Sequence, residues 1–292
     1  MDHMTAKVSC FARAYHYKQN RTCIFTDSAA EALLGKEYDE IARSMMNGIR
    51  FFFPEFQGSA EEGLRLIADR RLSPSVLARS AFCEKSMENE KRLGCRQCVL
   101  FAAGLDTFCV RNRDSAFAVF ELDLPEMLAD KKRRLKACNL KTNAVFVPCS
   151  LAQNTWPDLL TQAGFHPREK SFGSLLGISY YLSKEEFKRL LRAASDIIPA
   201  GSAICFDYPS ADGGREAETN QILAQAAGEP MKARYSALEL ERLLQECGFL
   251  IYEHLDDKEM TKQFFSAYNR CSPEHFMQAP PGVGYVLAVK AN

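Results

Sequence analysis

Val99-Leu-Phe-Ala-Ala-Gly-Leu-Asp-Thr107, followed by Phe120-Glu-Leu-Asp-Leu-Pro125, decides how this chain is read. Gln97-Cys-Val-Leu-Phe-Ala102 is a short apolar run without polar alternation, the pattern of a strand buried on both faces. Ala116-Phe-Ala-Val-Phe-Glu-Leu122 is a second such run. Between them, Ala102, Ala103 and Gly104 place small side chains where a strand turns toward a helix, so that backbone can approach a ligand closely. Asp123 stands at the end of the second strand, where a carboxylate can accept both hydroxyls of a ribose. Taken singly, the first block reads as a tight turn and the second as a helix-capping aspartate. A lone Gly104 also falls short of a G-x-G-x-x-G fingerprint. At this spacing the two together point to an adenosyl site.

Working outward, strand and helix alternate from residue 96 onward. Pro125 opens a helix in its first turn and a Lys/Arg-rich stretch carries it to Lys136. Residues 143–147, 171–178 and 202–207 read as further strands. Ser183-Lys-Glu-Glu186 is a capping box for a helix reaching about Ile198, and Ser236 caps another that ends at Cys247 and Gly248. Residues 249–255 and 283–290 are the last two strands. This alternation predicts an α/β fold: a mostly parallel sheet of about seven strands, the last antiparallel, with helices on both faces and ligands at the strand ends. Residues 1–95 carry no strand and read as helices, with Ser28-Ala-Ala-Glu31 resembling a capping box inside a helical stretch over 5–50. They are expected to form a helical cap belonging to the same domain as a core over 96–292, because they lack the apolar surface to stand alone. Residues 213–235, polar and bounded by Gly213-Gly214, read as a helical lid over an acceptor pocket.

The composition narrows the function. Among 292 residues, 37 basic and 37 acidic side chains cancel, which argues against a broad nucleic-acid or anionic-membrane surface. No stretch approaches the roughly 18 apolar residues of a membrane span, and the N-terminus has no apolar signal core. The expectation is a cytoplasmic protein with a small-molecule substrate, no nucleic-acid or membrane partner, and reduced thiols among its 11 cysteines. Cys95-Arg-Gln-Cys98 is a lone CxxC with no second pair, which favours ordinary core cysteines over a metal site. Nothing in the sequence bears on oligomeric state.

AAGLDT followed by FELDLPEMLADKKRRL resembles the GAGLDT…FEVDLP…K signature of the leucine carboxyl methyltransferase family, which includes protein phosphatase methyltransferases and polyketide O-methyltransferases. Arg79-Ser80 with Phe82 is similar to the family's R-T-R-F-F-D. Trp156-Pro157 with Gly164-Phe165 is similar to its W-P…AGF, and Gly177 to Leu182 to its E-G-L-L-x-Y-L. Gly201-Ser202 with Phe206-Asp-Tyr208, and Gly248-Phe249 to His254, extend the likeness over nearly the whole chain. The resemblance implies a Rossmann-like class I fold and an S-adenosylmethionine-dependent O-methyltransferase acting on a small-molecule or carboxylate acceptor. It implies that Arg79 pairs with the cofactor's carboxylate in a bidentate fork, a role that suits a guanidinium. Ala102, Ala103 and Gly104 then line the methionine part, with Asp106 in the same motif. Asp123, followed by Leu124, holds the ribose, and Ser150-Leu151 lies beside the adenine. Leu176 and Gly177 complete the cofactor site, with Leu176 at the position of the residue that faces the ammonium in the family.

The chain departs from the family pattern at Ala102, Phe108, Ala81 and Ser150, and at Leu176, where the family has a glutamate. A hydrogen bond to a charged group contributes about 1.5–3 kcal/mol, so cofactor binding is expected to be present but weaker than in intact members. These departures support a second reading, a silent binding protein that keeps the fold. A nicotinamide dehydrogenase is a third reading, but the LDT and DLP elements do not belong to it. For an alcohol or phenol acceptor a general base would help. His16, Tyr17, Tyr208 and His275 are candidates, and Tyr208 leads because it follows Asp207 at a strand end.

Overall fold

The computed structural model describes residues 4–211 and 231–292. Seven strands form one sheet: β1 (Gln97–Phe101), β2 (Ala118–Asp123), β3 (Val145–Pro148), β4 (Ser171–Leu175), β5 (Ala203–Pro209), β6 (Phe249–Leu255) and β7 (Val283–Lys290). Their order is β3-β2-β1-β4-β5-β7-β6, with β1 to β5 parallel and β7 antiparallel to both its neighbours. This is the α/β sheet that the alternation of apolar runs and capped helices predicts. Among the described residues six α-helices precede it: α1 (Met4–Gln19), α2 (Ala30–Leu34), α3 (Glu37–Asn47), α4 (Ile49–Phe52), α5 (Ala60–Ile67) and α6 (Ser73–Arg92), the last two joined by a π-helical turn over Ala68–Leu72. Within and after the sheet come α7 (Phe108–Arg111), α8 (Pro125–Ala137), α9 (Trp156–Gln162), α10 (Lys184–Asp196) and α11 (Ala237–Glu246). No helix among the described residues is long and apolar enough to cross a membrane.

The central strands are buried on both faces because two apolar layers cover them. On one face, Leu77, Phe82 and Met87 of α6 pack on Cys98, Leu100, Phe172, Cys205 and Tyr285. On the other, Trp156, Leu160, Phe187, Leu191, Leu240 and Leu244 pack on Val99, Phe101, Phe120, Phe206 and Val286. A third cluster joins Phe11, Tyr15, Leu33, Tyr38 and Leu64 of the first helices to Leu105 and to Met127 and Leu135 of α8. The cap therefore shares its apolar contacts with the segment after β1 and the helix after β2.

Local sequence explains the starts of α5, α10 and α11. Ser59, Ser183 and Ser236 each accept from the amide three residues on, while Glu62, Glu186 and Glu239 return the bond to the cap amide. Two expectations need correction. The stretch 5–50 is not continuously helical, and Ser28 does not cap α2. Asp27 does, its Oδ1 accepting from the Ala29 and Ala30 amides. The proposed lid falls largely outside the described residues. Its last part, 231–235, is not helical; Tyr235 is buried and bridges to Ser210.

Glu121 of β2 and Lys131 of α8 meet at 2.6 Å with both side chains sealed from solvent. Such a pair offers little net stability, but removing one partner leaves the other charge bare at a cost of about 3–5 kcal/mol. Glu121→Leu alone should lower the unfolding free energy measured in urea by that amount. Glu121→Leu with Lys131→Met should return it close to the wild-type value, with the denaturant slope unchanged.

Candidate active site

The chain leaves β1 through two left-handed residues, Ala102 at φ +49° and Gly104 at φ +50°. Together they fold 102–106 back on itself, the Asp106 amide donating to the Ala103 carbonyl at 2.9 Å. Asp106 Oδ1 then accepts from the Phe108 amide at 2.7 Å and starts α7. At the end of β2, Asp123 Oδ2 accepts from the Gly104 amide and Oδ1 from the Leu124 amide, each at 2.7 Å. One carboxylate thus ties the first loop to the second strand.

The wall on the β4 side is made by Leu176 and Gly177. Gly177 adopts φ +68°, and its amide donates to Asp207 Oδ1 at 2.7 Å. Arg79 reaches over it from α6, with Nη1 3.7 Å from Asp207 Oδ2 and Nη2 3.4 Å from Ser9 Oγ. A Cβ on residue 177 would lie 2.8–3.1 Å from the guanidinium, so only glycine admits the arginine there. The cap supplies the roof through Thr5, Ala6, Ser9 and Arg13.

These parts enclose a cavity of about 360 Å³ across the ends of β2, β1 and β4, within the range of small-molecule sites. Arg79, Ala102, Ala103, Gly104, Asp106, Asp123, Leu176 and Gly177 all line it. Leu124, Ser150 and Leu151 do not. Leu124 turns outward to solvent, and 150–151 follow β3, the outermost strand on that side. Ser9, Arg13, Met127, Ser174 and Tyr181 line the cavity without having been singled out from the sequence. Ser9 and Arg13 lie on α1 and Ser174 on β4, where no motif marks them, whereas Met127 and Tyr181 fall inside quoted motif stretches but only the tertiary fold turns them to the cavity.

A buried network fixes the roof to the loop. Arg13 donates from Nε to Asp27 Oδ2 at 2.8 Å and from Nη2 to the Leu105 carbonyl at 2.7 Å. Thr107 Oγ1 donates to Asp27 Oδ1 at 2.6 Å, and Arg111 Nε lies 3.5 Å from the same oxygen. Burial alone would raise the Asp27 carboxyl, but Arg13, Arg111 and these hydrogen bonds hold it below its ordinary value.

None of the four base candidates lines the cavity. Tyr208 is buried on the opposite face of β5 from Asp207, because successive strand residues alternate. Its hydroxyl meets His254 Nε2 at 2.9 Å, and its ring fills the space that Gly284 leaves open. The expectation that Tyr208 acts on substrate is therefore withdrawn. Burial, with Arg65 adding to it, pushes His16 down to about 3, and its Nε2 accepts the Ile24 amide at 2.9 Å. His275 pairs with Asp69, and Tyr17 is exposed on α1. Cys95 and Cys98 are buried free thiols, with Cys95 donating to the Gln97 carbonyl.

The sequence profile of the leucine carboxyl methyltransferase family matches residues 6–195. YktD of Bacillus subtilis, whose name describes an S-adenosyl-L-methionine-dependent methyltransferase, is 38% identical over 302 aligned residues, covering 98% of this chain and 97% of its own. Two solved structures share the fold at low identity. A DUF574 family protein from Streptomyces avermitilis has a TM-score of 0.60 at 12% identity, covering 98% of this chain and 96% of its own. A Thermobifida fusca protein described as a methyltransferase has a TM-score of 0.54 at 14% identity, covering 98% and 94%.

Two measurements test this description of the site. A left-handed alanine costs about 1–2 kcal/mol, partly offset by the freedom a glycine loses on folding, so Ala102→Gly should stabilise the protein by about 0.5–1 kcal/mol in urea unfolding. His16 stays neutral when folded, whereas in the unfolded chain it takes up a proton near pH 6.5. Stability should therefore fall on acidification between about pH 6.5 and 3, by about 2 kcal/mol at pH 5. His16→Gln, which keeps an acceptor for the Ile24 amide, should flatten that slope.

Proposed function

This chain belongs to the leucine carboxyl methyltransferase family, and on that premise we propose that it methylates a carboxylate oxygen of a small-molecule acceptor. It is an S-adenosylmethionine-dependent methyltransferase. The cavity suits that cofactor in its charge pattern as well as its size. A guanidinium stands at the β4 side and carboxylates at the β1 and β2 ends, opposite in sign to the cofactor's own carboxylate and ammonium. Arg79 would take the carboxylate in a charge-assisted bond. Asp123 would take the ribose hydroxyls, and the backbone of 102–104 would follow the methionine chain. With leucine at 176, Asp106 is the cavity carboxylate left to face the ammonium. Residues 1–95 act as part of the same domain, since Ser9 and Arg13 complete the roof.

When bound, the cofactor supplies an electrophilic methyl group on sulfur, whose departure needs no acid. The protein's work is then to orient the acceptor and keep water out. One observation carries the choice of acceptor. Among the described residues lining the cavity there is no histidine, lysine or cysteine; Asp106 and Asp123 each already accept a backbone amide, and Tyr181 offers only a phenol, a poor proton acceptor while neutral. A carboxylate arrives ionised and needs no base, whereas a phenol or alcohol would.

Isothermal titration should detect S-adenosylmethionine binding to the wild-type protein. Asp123→Ala should weaken it by about 1–3 kcal/mol, roughly five- to 150-fold, the cost of leaving hydrogen-bonding groups unpaired. Turnover with carboxylate acceptors should give methyl esters at a rate that stays flat from pH 6 to about 9. A rate that climbs with ionisation of a phenol would overturn the acceptor class. If the wild-type protein shows no heat at millimolar cofactor and Leu176→Glu does not restore it, the chain is a silent binding protein.

A further inference from the structure

Asp207 lies under the cavity rather than in it. Its side chain is sealed from solvent at the end of β5, on the face covered by α6. Both carboxylate oxygens are fixed: the Gly177 amide donates to Oδ1 at 2.7 Å and the Tyr180 hydroxyl to Oδ2 at 3.0 Å. The Ser179 hydroxyl donates to the Asp207 carbonyl at 2.6 Å, so backbone and side chain are held together. A buried carboxylate needs a cation, and the guanidinium of Arg79 faces it at 3.7 Å. That separation is an ion-pair distance and too long for a hydrogen bond, and the contact to Ser9 is also long at 3.4 Å. The arginine is thus oriented by charge while its N–H groups remain available for short bonds to another partner.

We propose that Asp207 is the positioning residue for Arg79, its buried carboxylate holding the guanidinium flat across Gly177 so that the fork presents itself to the carboxylate of the bound cofactor. A long arginine on a helix would otherwise sample many rotamers, and binding would have to order it. Gly177 completes the device, since any side chain there would displace the guanidinium. Asp207 itself touches no ligand and acts only through Arg79. The inference rests on the reading that Arg79 receives the cofactor's carboxylate, and the experiment separates the two.

The test compares two ligands by calorimetry on the full-length protein: S-adenosylhomocysteine, which carries the amino-acid carboxylate, and methylthioadenosine, which lacks it. Asp207→Asn should weaken S-adenosylhomocysteine about ten- to a hundredfold and leave methylthioadenosine within about twofold. Arg79→Gln should show the same selectivity, and the double variant should be no weaker than Arg79→Gln alone. Tyr180→Phe, which removes the hydroxyl fixing Asp207 Oδ2 while leaving Arg79, Gly177 and the cavity lining in place, should also weaken S-adenosylhomocysteine selectively, though less, and it carries the test if Asp207→Asn does not fold. Equal loss of both ligands in Asp207→Asn or Tyr180→Phe, or additive losses in the double variant, would reduce Asp207 to a structural role and overturn the proposal. Should Arg79→Gln fail to discriminate the ligands, the carboxylate reading of Arg79 falls first and takes the inference with it.

Discussion

The carboxylate of Asp27 is the joint on which the arrangement of the site depends. It is sealed from water, caps α2, and is shared by Arg13 of the first helix and Thr107 of the loop after β1. A charge so buried is tolerable only while every partner stays in place. The position of the roof helix and the shape of the loop beneath it are therefore one structural variable. Arg13 extends the coupling by holding the Leu105 carbonyl, inside the same loop that offers Gly104 to Asp123. A displacement of α1 would leave Asp27 undercompensated and release the loop at once.

How much of this was legible in the sequence follows from the range of the interactions involved. The strands and the turn at 102–104 could be read because parallel strands buried on both faces are continuous apolar runs, and because small residues at a strand end have a local meaning. The same burial hid the direction of individual side chains. In β5 every residue is buried, so no polar alternation says that Asp207 points to the cavity side and Tyr208 away from it. Position beside the strand end made Tyr208 attractive, and the pleat removed it. The cap of α2 was misread by one residue because Ser28 and Asp27 both suit the role. Asp27 prevails because Arg13, Arg111 and Thr107, brought from three distant segments, compensate its charge. Ser9 and Ser174 carry no local signal at all.

The electrostatic layout of the cavity comes from ordinary consequences of the fold. A parallel sheet gathers the C-terminal ends of β1, β2 and β4 along one edge, and each end contributes a different group: left-handed backbone, a carboxylate, and a glycine that admits an arginine. Each charged group is held by backbone amides or by an opposite charge, so the cavity is polar without being strained for partners. The left-handed Ala102 is the exception, keeping a conformation better suited to the glycine that the family pattern has there.

The strand order carries a consequence for how the molecule comes together. β7 lies between β5 and β6, hydrogen-bonded along its length to both, although it follows them in sequence. Until residues 283–290 arrive, β5 presents a bare antiparallel edge and β6 has no neighbour in the sheet. Asp207 likewise waits for Tyr285, its register partner, before its surroundings are closed. During synthesis, when N-terminal segments emerge first, the half of the sheet nearest the guanidinium stays open longest. That open edge is the template on which another chain would pair, so chaperone dependence and aggregation during production should track how quickly this one strand inserts.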